Sequence, residues 1–230
     1  MRTFVINLER NPERLSFMRA QLAHAGIAFE RFPAVCGREL SPADRRRAFS
    51  RVRSFIASKK RMSDAEVGVA LSHLGCYRRM AADGTPCALV LEDDVMLSDR
   101  FLETLQRVEA FADRTRPQVI VFSGYGVEDA ERSAPEIRAE RSIWCADAYC
   151  LTLPAARLIL KANDPVITVA DSFKRWHRRF GLELYRALPA TARQDDVTFG
   201  SENVVLPKSN WLLRNLLWAA DWILWKVTGR

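Results

Sequence analysis

Three consecutive carboxylates, Glu92-Asp93-Asp94, follow directly on the apolar run Ala88-Leu89-Val90-Leu91. Like charges set this close repel one another, and a cation among them relieves the repulsion. Carboxylate oxygens are hard ligands that suit Mg2+ or Mn2+. Such ions bridge one or two carboxylates to a diphosphate and offset charge building on a leaving group. The same triplet also fits a solvated turn or a helix N-cap cluster, so its neighbours have to decide.

Other segments hold residues of the right chemistry. His73 closes Gly68-Val69-Ala70-Leu71-Ser72-His73. A lone helical histidine is ordinarily a satisfied structural residue, and the alternative is a place in a site. In Asn7-Leu8-Glu9-Arg10-Asn11-Pro12-Glu13-Arg14 a strand meets a helix. Its helix N-terminus and two arginines would receive an anion, or else form a capped helix with surface ion pairs. Asp171 and Gln194 carry no signal by themselves.

The elements that must position these residues read as α/β. The apolar run before the triplet, Cys87 to Leu91, predicts a buried parallel strand, and ligands bind at the C-terminal ends of such strands. A strand is predicted over Thr3 to Leu8. A helix follows, with Asn11 as N-cap, Pro12 at N1, the stripe Leu15, Met18, Leu22 and Ala25, and Gly26 as C-cap. A second strand, Ala28 to Val35, completes a right-handed parallel β-α-β unit. Ser41-Pro42 starts a helix in a stretch dense in cations (41–61). Ser63-Asp64-Ala65-Glu66 is a capping box opening a helix that ends at Asp83-Gly84. Further on come an amphipathic helix over Asp99 to Ala112, a strand over Gln118 to Phe122 and an exposed loop over Val127 to Arg141. A strand over Ala148 to Leu153 and a short helix to Lys161 follow. Asp164-Pro165 is a break, Phe173 to Phe180 mixes aromatic and basic residues, and Arg193 to Pro207 reads as a loop.

The 230 residues fit one α/β domain with an appendage, and 48% hydrophobic with 27% charged residues is the make-up of a soluble globular protein. A net charge of +7 favours polyanionic partners: nucleic acid, anionic lipid or phosphorylated sugar. The five cysteines lack CxxC spacing, which suggests buried reduced thiols, and the N-terminus lacks the apolar core of a signal peptide. Both features point to the cytoplasm. Trp211 to Val227 is nearly all apolar but carries Arg214, Asp221 and Lys226, which argues against a membrane span. On a helical wheel Arg214, Trp218, Asp221 and Trp225 share one face. Such a tryptophan-rich amphipathic helix suits a bilayer surface; the alternative is a helix docked on the core or on a second subunit.

Taken together, the segments resemble glycosyltransferase family 25, the lipooligosaccharide galactosyltransferase family that includes the collagen galactosyltransferases. Val5-Ile6-Asn7-Leu8-Glu9-Arg10 with Arg14 and Met18 is similar to its opening motif, Gly68 to His73 to its GxxLSH, and Leu91 to Val95 to its LEDDV. Ala148-Tyr149-Cys150-Leu151-Thr152 with Ala155-Ala156 resembles a later segment. Asp171 stands where the family often has PxD, here without the proline, and Gln194 where it has a late glutamine.

The resemblance implies a GT-A-like fold, a mixed, mostly parallel sheet flanked by helices, over residues 1–205, with 206–230 as an amphipathic tail. It implies inverting transfer of a hexose, usually galactose, from a UDP-sugar, with Mn2+ (or Mg2+). By the same resemblance Asp94 coordinates the metal directly, and Glu92 and Asp93 meet the ribose or the metal's waters, with Glu92 a second candidate ligand. Asn7 and Arg10 lie near the nucleotide, His73 shapes the donor site, Tyr149 and Gln194 join the substrate-binding set, and Asp171 is the candidate base. The expected acceptor is a lipid-linked glycan at an anionic membrane surface, on the inner face of the cytoplasmic membrane. Two rivals remain: another metal-dependent phosphoryl-transfer or hydrolytic enzyme, and a nucleic-acid-binding domain. The latter ranks last, because aromatics do not interleave with the basic run.

Overall fold

The computed structural model describes residues 1–58, 61–124, 135–195 and 211–229, with the backbone alone for 211–215. In chain order its elements are β1 (Arg2–Asn7), α1 (Pro12–His24), β2 (Glu30–Pro33), α2 (Pro42–Ala48), α3 (Arg51–Ser58), α4 (Asp64–Asp83), β3 (Cys87–Glu92), β4 (Val95–Leu97) and α5 (Phe101–Phe111). Then come β5 (Gln118–Val121), β6 (Glu136–Glu140), β7 (Ala148–Thr152), α6 (Leu153–Asn163), α7 (Phe173–Phe180), β8 (Glu183–Leu188), β9 (Ala192–Gln194) and α8 (Trp211–Thr228).

The central sheet has the order β2-β1-β3-β7-β5-β8-β6. β2, β1, β3, β5 and β8 run one way, and β7 and β6 run against them. The sheet is thus mixed and mostly parallel, as expected. Strand alternation divides its side chains between two cores. Phe4, Ile6, Ala88 and Val90 pack toward α4, α6 and α7, where they meet Leu74, Tyr77, Ile159 and Trp176. Val5, Leu89 and Leu91 face α1 and α5, against Met18, Leu22, Phe101 and Val108. Burial on both faces explains why β1 and β3 read as continuous apolar runs rather than alternating ones.

Local signals set most boundaries. Ser63 and Glu66 form the complete capping box, and Gly84 ends α4 in the left-handed conformation at φ 68°. Ser41 caps α2, accepting from the Asp44 amide.

Other expectations need correction. Asn11 makes no side-chain cap; its backbone carbonyl instead accepts from Asn7 Nδ2 at 2.9 Å. Ala25 rather than Gly26 is the C-cap of α1. Residues 136–140 of the expected loop form the edge strand β6, which tolerates alternating charge because it pairs on one side only; residues 127–134 lie outside the described residues. Ala192 to Gln194 form β9 instead of a loop. The expected boundary at 205/206 and the cations Lys59, Lys60 and Lys208 also lie outside.

The C-terminal helix is docked: α8 lies across α3, with Leu217 and Asp221 buried. Trp218 and Asp221 both line the cleft beside α7 and Trp225 lies against Arg179, the shared face the wheel predicts, and on it Asp221 is covered while Trp218 is exposed. The reason is electrostatic. Asp221 accepts from Arg175 at 2.5 and 2.9 Å and pairs with Arg179 at 2.6 Å, which draws that edge of the helix onto α7. No helix among the described residues is long and apolar enough to cross a membrane. All five cysteines are free thiols.

Candidate active site

β1 and β3 are parallel neighbours with Ile6 opposite Glu92, so Asn7 ends β1 beside the turn that carries Asp93 and Asp94. Arg31 Nε donates to Asn7 Oδ1 at 3.0 Å, which turns the amide nitrogen toward Asp93 Oδ2 at 2.7 Å. Arg14, from the first turn of α1, reaches Asp93 Oδ1 at 3.2 Å and Asp94 Oδ2 at 3.4 Å. β4 and β9 pair Val95 with Gln194, and Gln194 Nε2 then donates to Asp94 Oδ2 at 3.2 Å. Asp94 Oδ1 is buried and has no hydrogen-bond partner among the described residues.

The Gly68-to-His73 segment has a mechanical reading. A Cβ on Gly68 would stand 2.4 Å from the Val35 carbonyl oxygen and 2.7 Å from the Gly37 nitrogen, so only glycine lets α4 lie this close to the chain after β2. One turn on, Ser72 Oγ accepts from the Val35 amide at 2.8 Å and donates to the Gly68 carbonyl at 2.8 Å. The next residue, His73, has Nε2 3.1 Å from Glu92 Oε1 and Nδ1 2.6 Å from Tyr149 Oη. Tyr149 Oη is in turn 2.6 Å from Tyr77 Oη. Burial lowers the His73 pKa to about 3, so the ring is neutral at physiological pH. With Glu92 ionised, one pattern satisfies the chain: Nε2–H donates to Glu92, Nδ1 accepts from Tyr149, and Tyr149 accepts from Tyr77.

Two clefts meet at these residues. The first lies between the end of β1, the chain after β2, and α4; Arg10, Arg14, His73, Asp94 and Cys36 are among its lining. The second, about 660 Å³, runs past Asp147, Asp171 and Trp144 to α7 and α8. Val69, Glu92 and Gln194 belong to both.

The junction is strongly acidic. Glu92 is held well above the usual carboxylate range, first by burial and then by the charges of Asp94, Asp147, Asp93 and Asp171. Burial also raises Asp93 and Asp94, although Asn7 and Arg14 counter it at Asp93, and Gln194 and Arg14 at Asp94. Burial raises Asp147 as well, against a 2.5 Å hydrogen bond from Ser123. Arg14 is the cation in direct contact with the Asp93–Asp94 pair.

A divalent cation fits this donor set. The orphaned Asp94 Oδ1 is a hard oxygen in an over-acidic pocket, and Mg2+ or Mn2+ commonly takes one or two carboxylates with the substrate's phosphates supplying further ligands. Among the described residues no three His, Cys, Asp or Glu side chains form a ready-made cage. Such an ion would therefore be completed by what it binds.

The residues expected from sequence divide between the clefts. Arg10, His73, Asp93 and Asp94 line the first, Asp171 the second, and Glu92 and Gln194 both. Arg10 also contacts Cys36 Sγ at 3.1 Å and Glu39 at 3.3 Å. Two of the substrate-binding set stand back from both clefts. Asn7 is 1% exposed and orients Asp93; Tyr149 is fully buried behind His73 and orients that ring. Arg14 as a carboxylate clamp, Asp147 and Tyr77 were missed. Arg14's place on the first turn of α1, seven residues after Asn7, was the one available signal; Asp147 and Tyr77 become neighbours of the site only through β7 and α4.

Residues 1–174 match the sequence model of glycosyltransferase family 25 (LPS biosynthesis protein). A glycosyltransferase 25 family member of Aedes aegypti is 31% identical over 167 residues, 69% of this chain and 27% of that protein. The inactive glycosyltransferase 25 family member 3 of Homo sapiens is 31% identical over 71% of the chain and 29% of its own length. The chain thus spans less than a third of these relatives. The lacto-N-neotetraose biosynthesis glycosyltransferase LgtE of Neisseria meningitidis is 26% identical over 85% of the chain and 74% of its own length. Among solved structures, galactosyltransferase LgtC with donor and acceptor sugar analogs aligns over 79% of the chain and 65% of its own at 12% identity. Its TM-score is 0.35, too low to carry an argument.

Proposed function

The chain belongs to glycosyltransferase family 25, and from that premise we propose that it transfers a hexose, galactose in our reading, from a UDP-sugar to a lipid-linked oligosaccharide with inversion. The observation that carries this reading is the junction of two clefts at Glu92, beside an Asp94 oxygen that is buried and unpartnered. One cleft suits a donor and the other an acceptor, with the reacting atoms where they join.

Asp94 would hold Mn2+ or Mg2+, with Glu92 beside it; a bound ion supplies charge neutralisation of the departing diphosphate. Arg14 and Asn7 keep Asp93 and Asp94 oriented, and Arg10 at the mouth of the first cleft suits a phosphate oxygen. Asp171 lies in the second cleft, near enough for its charge to act on Glu92. In this reading it accepts the proton of the attacking hydroxyl. His73, neutral and hydrogen-bonded at both nitrogens, fixes the Glu92 carboxylate.

The exposed Trp222, Ile223 and Val227 of α8 support work at a membrane surface, which we assign to the cytoplasmic face. The deciding experiment is thermal stability with Mn2+ and a panel of UDP-sugars, for wild type and Asp94→Asn. A ligand at ~100 times its Kd stabilises by about 2.7 kcal/mol, or roughly 5–10 °C here. The expected result is a Mn2+-dependent rise with one UDP-hexose that Asp94→Asn abolishes. No rise with any nucleotide sugar, from folded protein, would refute the donor assignment.

A further inference from the structure

The second cleft is electrically divided. On its sheet side stand Glu92 and Asp147, with Asp171 in the turn that leads into α7. At its far end α7 presents Lys174, Arg175, Arg178 and Arg179, while Phe173 and Trp176 of the same helix are buried in the core. Two of these cations are already occupied. Arg175 and Arg179 converge on Asp221 of α8, at 2.5 and 2.6 Å, and all three side chains are largely buried. Lys174 and Arg178 are different. They lie one helical turn apart on the same face, and no carboxylate of the described residues pairs with either. Lys174 Nζ stands 5.2 Å from the ring centroid of Trp144, a tryptophan left 66% exposed at the cleft wall.

The geometry points to an acceptor that carries a phosphate or carboxylate group, bound with that anion on Lys174 and Arg178 and with a sugar ring on Trp144. The inference rests on the transferase reading above and names the class of its acceptor. An anion is repelled from Glu92 and Asp147 and drawn to Lys174 and Arg178, so the cleft's own field turns a neutral hydroxyl toward the junction with the donor cleft. The cleft is oriented by charge before any specific contact forms. α8 is part of this device. Asp221 clamps Arg175 and Arg179 into the wall, and Trp218 lines the same cleft. A bilayer would meet these cations from outside; here they line a cleft that also holds Glu92, which favours a glycan over a lipid surface as their partner.

The test uses the full chain and matched pairs of soluble oligosaccharides: a neutral one, the same one with a single phosphate monoester, and the same one with a single carboxylate. Binding is measured by calorimetry at low and high salt, alongside UDP-sugar binding and binding to phosphatidylglycerol vesicles. At low salt an anionic member of a pair is expected to bind about 10-fold more tightly than its neutral counterpart. The preference shrinks in high salt and disappears in the Lys174→Ala, Arg178→Ala double variant, whose UDP-sugar binding is unchanged. The phosphate and carboxylate arms show which anion is taken. Equal binding of neutral and anionic members by the wild type would overturn the inference. So would a preference that survives the double variant, or a double variant that loses vesicle binding alone. Failure of the transferase reading looks different: no UDP-sugar binds to wild type, whatever the oligosaccharides do.

Discussion

Tyr149 joins two buried groups through one oxygen, and that makes the cost of removing it calculable. Its Oη lies 2.6 Å from His73 Nδ1 and 2.6 Å from Tyr77 Oη, with all three residues at most 1% exposed. Tyr149→Phe keeps the ring but strands both partners. A buried polar group left without a partner costs about 1–3 kcal/mol, so the sum is about 2–6 kcal/mol. Since ~1 kcal/mol moves the melting temperature of a chain this long by roughly 2–4 °C, a fall of at least ~4 °C is expected. Tyr77→Phe removes only the end of the chain, leaves Tyr149 bonded to His73, and costs about 1 kcal/mol. In the double variant Tyr77 no longer has a hydroxyl to strand, so its loss is smaller than the sum of the singles, by about 1 kcal/mol or more. Denaturant melts of the four proteins measure the cycle. Additive losses, or equal losses for the two single variants, would refute the bridging role.

Gly68→Ala should push Val35 and Gly37 away from α4, because the new Cβ has 2.4 Å to a carbonyl oxygen; we expect a lower melting temperature and weaker UDP binding, both read in one thermal-shift titration. His73 titrates in the folded protein at about 3 against about 6.5 unfolded. Its stabilisation is therefore complete above pH 6.5 and lost as pH falls toward 3, by up to about 1.4 kcal/mol per unit. His73→Gln should show a shallower loss of stability between pH 6 and 4 (roughly the span an ordinary histidine and His73 bracket), and a profile parallel to wild type would count against a buried neutral ring. Asp221→Ala leaves Arg175 and Arg179 facing each other without their anion, a loss of about 3–5 kcal/mol if α8 stays docked. Proteolysis confined to the tail, with a red-shifted tryptophan spectrum, is the expected outcome; an intact tail of unchanged stability would contradict the clamp. Deleting residues 208–230 should weaken binding to anionic vesicles, and undiminished binding in a flotation assay would remove α8 from the membrane reading.

Much of the architecture was legible because its signals are local. Ser63 and Glu66 are three residues apart and cap α4 by themselves, and the Cys87-to-Leu91 run announces a strand covered on both faces. The triplet's place at the end of β3 followed from that same run. What escaped reading depends on pairings far apart in sequence. β6 carries too many charges to look like a strand until β8 lies beside it. β9 is three residues held by β4, about a hundred positions earlier, and by Phe122 and Ser123 after β5. Tyr149 has the composition of a binding residue, and only the stacking of α4 on β7 shows that it faces inward. On α8 the shared face was legible, but hydropathy ranks aspartate as exposed and so hid the burial of Asp221. Two arginines on α7 reverse that ranking.

The residues that clamp the acidic triplet, Asn7, Arg14 and His73, fall within the 1–174 stretch that matches the family. Lys174, the first residue of the cationic wall, is the last of that stretch, and Arg175, Arg178 and Arg179 follow it, backed by Trp218 and Asp221 of α8. Along this chain the donor-side residues come first, while the acceptor cleft draws on both halves, with Trp144, Asp147 and Asp171 before α7 and the cations on α7 itself. In the proposed reading, a change of acceptor charge would be confined to one helix: exchanging Lys174 and Arg178 would alter the anion bound without touching Asn7, Arg14, His73 or Asp94. Gln194, from beyond α7, reaches back to Asp94. Any wider exchange must keep the β4–β9 pairing that holds it in place.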